Sequence, residues 1–131
     1  MRELTVVAAV IHDPEGRVLL TRRPDDRHMG GLWEFPGGKV DAGESPAEAL
    51  ARELVEELDL AVEVGTPITF AVHDEPGLRI LLLFYAATIL SGTPRSLDGQ
   101  ELAWVEVGEL ANYPTPPADA QLVAQLVDGS A

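Results

Sequence analysis

The chain has no cysteine. Disulfide bonds and thiolate metal sites are therefore excluded. It also lacks an apolar run near the roughly 18–20 residues that a membrane-crossing helix needs. The longest such run, ILLLFYAATIL from 80 to 90, has the length of a buried strand. Residues 1–11 show neither the basic start nor the cleavage site of a secretory leader, so the expected compartment is the cytoplasm. Positive charge is scarce. Nine Lys and Arg stand against 22 Asp and Glu, giving a net charge of −13. Gripping a nucleic-acid polymer takes clustered Lys and Arg, which this chain does not have. An anionic small molecule stays open as a ligand if cations mediate its binding. The chain has no repeats, no low-complexity segment and no interdomain linker.

What remains is ordinary globular material: 131 residues, 46% of them hydrophobic. The expectation is one domain over 1–131, large enough to bury its own core. LTVVAAVI (4–11) reads as a buried strand, and RVLLTRR (17–23) follows it across the turn HDPEG as a hairpin partner. PDDRHMGG is loop, LWEF a short strand and PGGKVDAGE a Gly-rich loop. Two long strands, 61–74 and 78–90, flank the turn EPG. ELAWVEV (101–107) is a further strand, GELANY a helical turn, and 118–128 a terminal helix.

The clearest helix starts at Ser45. Ser45 is a natural N-cap, Pro46 suits the first helical position, and Glu48 completes a capping box. Ala47, Ala51, Leu54, Val55 and Leu58 form its expected apolar stripe. Strands with two main helices imply an α/β class in the α+β sense: a mixed sheet with helices on both faces, α/β/α.

That helix raises the functional question. Glu53, Glu56 and Glu57 crowd one face, opposite the expected stripe. Like charges at these spacings cost a few tenths of a kcal/mol each, by about the same measure that opposite pairs gain. A solvated surface would be the ordinary explanation. The spacing around them is more specific. From Gly38 there are five residues to Glu44, then seven to Arg52-Glu53-Leu54, one to Glu56-Glu57, one to Asp59, and then Leu60.

This 23-residue span resembles the Nudix box, departing from it only at Asp59, where the family has Gly. GGLWEFPGGKV ahead of the box, LTRR further upstream and PPAD near the end are similar to MutT-type 8-oxo-dGTP diphosphatases and bacterial CTP pyrophosphohydrolases. The resemblance implies a Nudix fold and a hydrolase for phosphoric anhydride bonds. Such an enzyme splits a nucleoside triphosphate into a monophosphate and pyrophosphate with Mg²⁺, or Mn²⁺ in its place. It implies that Glu53, Glu56, Glu57 and the Gly37 carbonyl hold metal, and that Arg52 braces the loop and the glutamates. Glu44 would tie loop to helix. Asp98 holds the place of an extra ligand, with Glu101 its rival.

Arg23 matches a phosphate-contacting arginine, Arg79 and His28 are further substrate-binding candidates, and Asp119 falls where MutT enzymes place a base-reading Asn. An ionised Asp only accepts hydrogen bonds, which suits the N4 amino group of cytosine. Capping the last helix is its other reading. Asp59 should adopt a left-handed conformation at the helix end, at about 1 kcal/mol. The expected partner is a nucleotide, with no membrane, and the chain itself a monomer or homodimer. Two alternatives stay open: a Nudix hydrolase for ADP-ribose or a dinucleoside polyphosphate, and a non-catalytic nucleotide-binding module.

Overall fold

The computed structural model describes all 131 residues. In chain order the elements are β1 (Arg2–Ile11), β2 (Val18–Arg22), β3 (Trp33–Glu34), β4 (Gly37–Lys39), α1 (Pro46–Leu58), β5 (Ala61–Glu75), β6 (Leu78–Ser91), β7 (Glu101–Val105) and α2 (Ala120–Asp128). 3₁₀ turns span Val107–Asn112 and Pro117–Asp119.

The strands form two sheets rather than one. A four-stranded mixed sheet has the order β4-β1-β6-β5, and a three-stranded antiparallel sheet the order β3-β2-β7. β1 and β6 run parallel over ten paired residues. The expected β1–β2 hairpin survives only as one bridge, His12 to Val18, after which the strands part into different sheets. Part of the Gly-rich loop is a strand: β4 pairs antiparallel with β1.

β1 shows why the sheets need cover on both sides. Val7, Ala9 and Ile11 enter one core with Leu50, Leu54 and Leu58 of α1. Ala8 and Val10 enter a second core with Leu122, Val123 and Leu126 of α2. This is the period-2 alternation of a strand buried on both faces.

The capping box at Ser45 is present with both of its hydrogen bonds. Helix α1 ends at Asp59, whose φ of 54° is left-handed as expected. The helix phase differs from expectation. Ala49, Leu50, Leu54 and Leu58 are buried, whereas Val55 is 52% exposed. Glu57 stands seven residues, about two turns, after Leu50 and so shares its side. The acidic face therefore borders the buried face instead of opposing it. That rotation brings two of the glutamates inward, toward β4 and the sheet.

Candidate active site

The site begins with two glycines. A Cβ on Gly37 would collide with the Val7 carbonyl oxygen, and one on Gly38 with the Glu53 carboxylate. Only residues without a side chain let β4 pass between β1 and α1 this closely.

Arg52 organises the carboxylates behind them. Its Nε donates to Glu44 Oε2 at 2.7 Å and its Nη2 to Glu44 Oε1 at 2.9 Å, a two-point contact. Its Nη1 donates to Glu53 and to Glu56, each at 3.1 Å, and its Nη2 to the Lys39 carbonyl at 3.0 Å. The hydrogen bonds to Glu44 are the main reason the guanidinium is held firmly protonated. Glu44 also accepts from the Asp41 N–H at 2.9 Å and is held below the usual carboxylate range. Glu44 thus links the loop, through Asp41, to Arg52 of the helix.

Glu53 and Glu57 line a cleft of about 500 Å³ together with Gly37, Gly38 and Asp98. Burial pushes the Glu57 carboxyl up to about 8, and the neighbouring charge and hydrogen bond of Glu53 push in the same direction. Two carboxylates this close favour sharing a proton when no cation is present. Glu56 is outside the cleft wall; its side chain is turned toward Arg52. No three acidic or histidine side chains are gathered around one point. The donors fit a hard divalent cation all the same: they are oxygens only, carry surplus negative charge, and are approached by a backbone without side chains. Asp98 lies in the cleft wall, while Glu101 pairs with Arg22 at 3.1 Å outside it.

The cleft leads into a smaller chamber of about 100 Å³. Arg23, His28 and Glu34 line both spaces, and Asp119 belongs to the inner one. Arg23 Nε donates to both Glu34 carboxylate oxygens, at 3.0 and 3.1 Å, and its Nη1 donates to the His28 carbonyl at 3.2 Å. Burial raises Glu34 even so, with the Arg23 charge opposing the shift. Asp119 is 3% exposed. Burial and the charge of Glu34 push its carboxyl up to about 7, against the pull of the Phe35 N–H and Arg23. Its side chain makes no capping hydrogen bond to α2, so the helix-cap reading is not realised.

Residues 7–125 match the family model described as the NUDIX domain. The chain belongs to the Nudix family. It is 38% identical over 123 residues to the CTP pyrophosphohydrolase of Escherichia coli K12, covering 94% of this chain and 90% of that one. It is 31% identical over 126 residues to the 8-oxo-dGTP diphosphatase of the same organism, covering 96% and 98%. Among solved structures, the MutT Nudix hydrolase from Burkholderia pseudomallei superposes with a TM-score of 0.82 at 29% identity, covering 95% and 98%. This Nudix chain is accordingly a hydrolase of phosphoric anhydride bonds, and Nudix hydrolases are generally dependent on a divalent metal.

One site expectation fails in this Nudix domain. Arg79 is not in the cleft. Its neighbours Leu78 and Ile80 line it, so the pleat turns Arg79 to the other face, where its Nε pairs with Asp74 at 2.7 Å. Several wall residues escaped the sequence reading, Glu34, Thr21 and His73 among them. Glu34 had a signal: Trp33 and Phe35 pack into the second core, which leaves Glu34 facing the opposite side. Thr21 is 5% exposed and lines the cleft two residues before Arg23, on the same face of the chain. His73 lies inside the expected strand 61–74 and, as part of β5, lines the inner chamber.

Proposed function

We infer that this Nudix hydrolase is a Mg²⁺-dependent nucleoside triphosphate pyrophosphohydrolase. It cleaves a (d)NTP to the (d)NMP and pyrophosphate, with cytidine nucleotides or 8-oxo-dGTP as substrates. The observation that carries this reading is the continuity of two spaces: an acidic cleft at Glu53 and Glu57, and an adjoining chamber lined by Asp119. The relatives named for CTP and for 8-oxo-dGTP support the same substrate class.

Glu53, Glu57, Asp98 and the Gly37 carbonyl would hold the metal, with Glu56 recruited from Arg52. When bound, Mg²⁺ polarises a phosphoryl oxygen, acidifies a water and steadies the leaving pyrophosphate. The glutamates accept the proton of the attacking water, and Arg52 keeps them aimed while they do so. Arg23, anchored on Glu34, orients the substrate at the junction of cleft and chamber. Asp119 reads the base. Near neutral pH its carboxyl is poised between an ionised acceptor, suited to the cytosine amino group, and a neutral form that also donates.

The test is a steady-state panel of CTP, dCTP, 5-methyl-dCTP, 8-oxo-dGTP, dGTP and ADP-ribose with Mg²⁺. Pyrophosphate release from one of the first four, at the highest kcat/KM, is expected. A preference for ADP-ribose would overturn the substrate assignment and leave the anhydride chemistry standing.

A further inference from the structure

The cleft wall carries a charge problem. Five of its residues are acids, Glu34, Asp41, Glu53, Glu57 and Asp98, against three fixed cations, Arg23, Arg27 and Lys39. Arg23 is already committed to both oxygens of Glu34. Arg52, beyond the wall, is committed to Glu44, Glu53 and Glu56. A triphosphate entering this space finds few cations to meet it.

Arg27 is the one with a partner it can exchange. It sits in the loop between β2 and β3, and its Nη1 and Nη2 reach Asp98 at 3.1 and 3.4 Å, across a sequence separation of 71 residues. Both side chains are about half exposed, at 50% and 49%, so the pair is accessible and weakly held. The ion pair lies in the cleft wall, joining the loop after β2 to the loop before β7. The carboxylate it occupies is also the one placed to hold the metal.

We propose that Arg27 is a polyphosphate-binding residue, held in reserve on Asp98 until metal and nucleotide displace it. Metal arriving at Asp98 takes over the carboxylate. The freed guanidinium then meets the phosphate chain that arrives with the metal. In the empty cleft Arg27 and the metal compete for Asp98; in the loaded cleft they cooperate on the substrate. The inference rests on the reading of the cleft as a metal–polyphosphate site.

The exchange has opposite signs in two measurements. Arg27→Gln should bind Mn²⁺ alone several-fold more tightly than wild type, measured by the electron paramagnetic resonance of free Mn²⁺. The same variant should bind inorganic pyrophosphate about tenfold more weakly in Ca²⁺, and raise KM for the triphosphate about tenfold with kcat within threefold. Arg27→Lys should recover part of the KM. In an Asp98→Asn background the Mn²⁺ effect of Arg27→Gln should disappear, because the contested carboxylate is gone. Unchanged or weaker Mn²⁺ binding in Arg27→Gln, additive effects in the double variant, or wild-type pyrophosphate affinity would each overturn the proposal. Wild-type protein that takes up no Mn²⁺ at all would instead sink the reading of the cleft itself.

Discussion

Gly38 stands directly against the carboxyl group of Glu53: a Cβ added there would lie 2.7 Å from Oε1 and closer still to the rest of the group. Glu53 cannot retreat freely, since Arg52 Nη1 holds the same oxygen at 3.1 Å. The glycine is thus part of how the carboxylate is aimed.

Gly38→Ala should cost activity out of proportion to stability. The collision is with the end of a side chain and not with backbone, so its relief breaks the Arg52 hydrogen bond to Glu53 while the fold survives, with a loss of about 1–2 kcal/mol. The displaced carboxylate should lower kcat about a hundredfold or more, as small misplacements of a reacting group do. Thermal unfolding beside steady-state turnover checks this. A variant that keeps kcat within threefold would show that the Glu53 position is not set here.

Glu57→Gln should inactivate the enzyme and stabilise the metal-free fold at alkaline pH. The Glu57 and Asp119 carboxyls lie at about 8 and about 7, above their ordinary values of 4.5 and 3.8. Folding therefore takes up protons, and stability falls as pH rises from about 4 to about 8. Glutamine removes the Glu57 share of that fall, and each kcal/mol regained is worth about 4 °C in a domain of this size. Melting curves from pH 5 to 9 without metal should show a flatter decline for the variant. Added Mg²⁺ should raise the wild-type midpoint and leave the variant little changed. A parallel decline in both proteins would show that Glu57 titrates no differently in the fold.

Asp119→Asn should shift preference away from cytidine nucleotides. One good hydrogen-bonded base contact discriminates by about 1–3 kcal/mol. The ratio of kcat/KM for CTP over 8-oxo-dGTP should therefore fall about tenfold. In the wild type the same ratio should rise with pH across about 7, as Asp119 loses its proton, and that rise should vanish in the variant. An unchanged ratio would remove Asp119 as the base reader.

Arg79→Ala should leave kcat/KM within about twofold of wild type. Arg79 faces away from the cleft in an exposed pair with Asp74, and such pairs contribute under about 1 kcal/mol. A tenfold rise in KM would place Arg79 on the substrate after all.

The part of the site that could be read from the sequence is the part held by local geometry. The Ser45 capping box fixes where α1 begins, and the spacing from Gly38 to Leu60 fixes which side chains share its acidic edge. Val55 was misplaced because a helical period alone cannot say which side of a broad apolar arc meets the sheet; the packing of Leu50 and Leu54 decides it. The split into two sheets is likewise non-local, since β2 leaves β1 after a single bridge to pair with β7, some 80 residues on. Arg27 and Asp98 meet only because two loops distant in sequence come together in the wall of one cleft. Nothing near either residue announces the other.

The division of labour across β1 bears on how such a chain can change its diet. Most of the proposed cutting machinery lies in one stretch from Gly37 to Asp59, whose helix packs on one side of that strand, with Asp98 added from the loop before β7. The proposed base reader, Asp119, stands in the last turn before α2, a helix packed on the other side. Val6 borders both spaces and is among the few residues they share. Substitutions around Asp119 can therefore be sampled without dismantling the cutting machinery. A lineage can move between cytosine and damaged guanine by small steps, each one still a working enzyme.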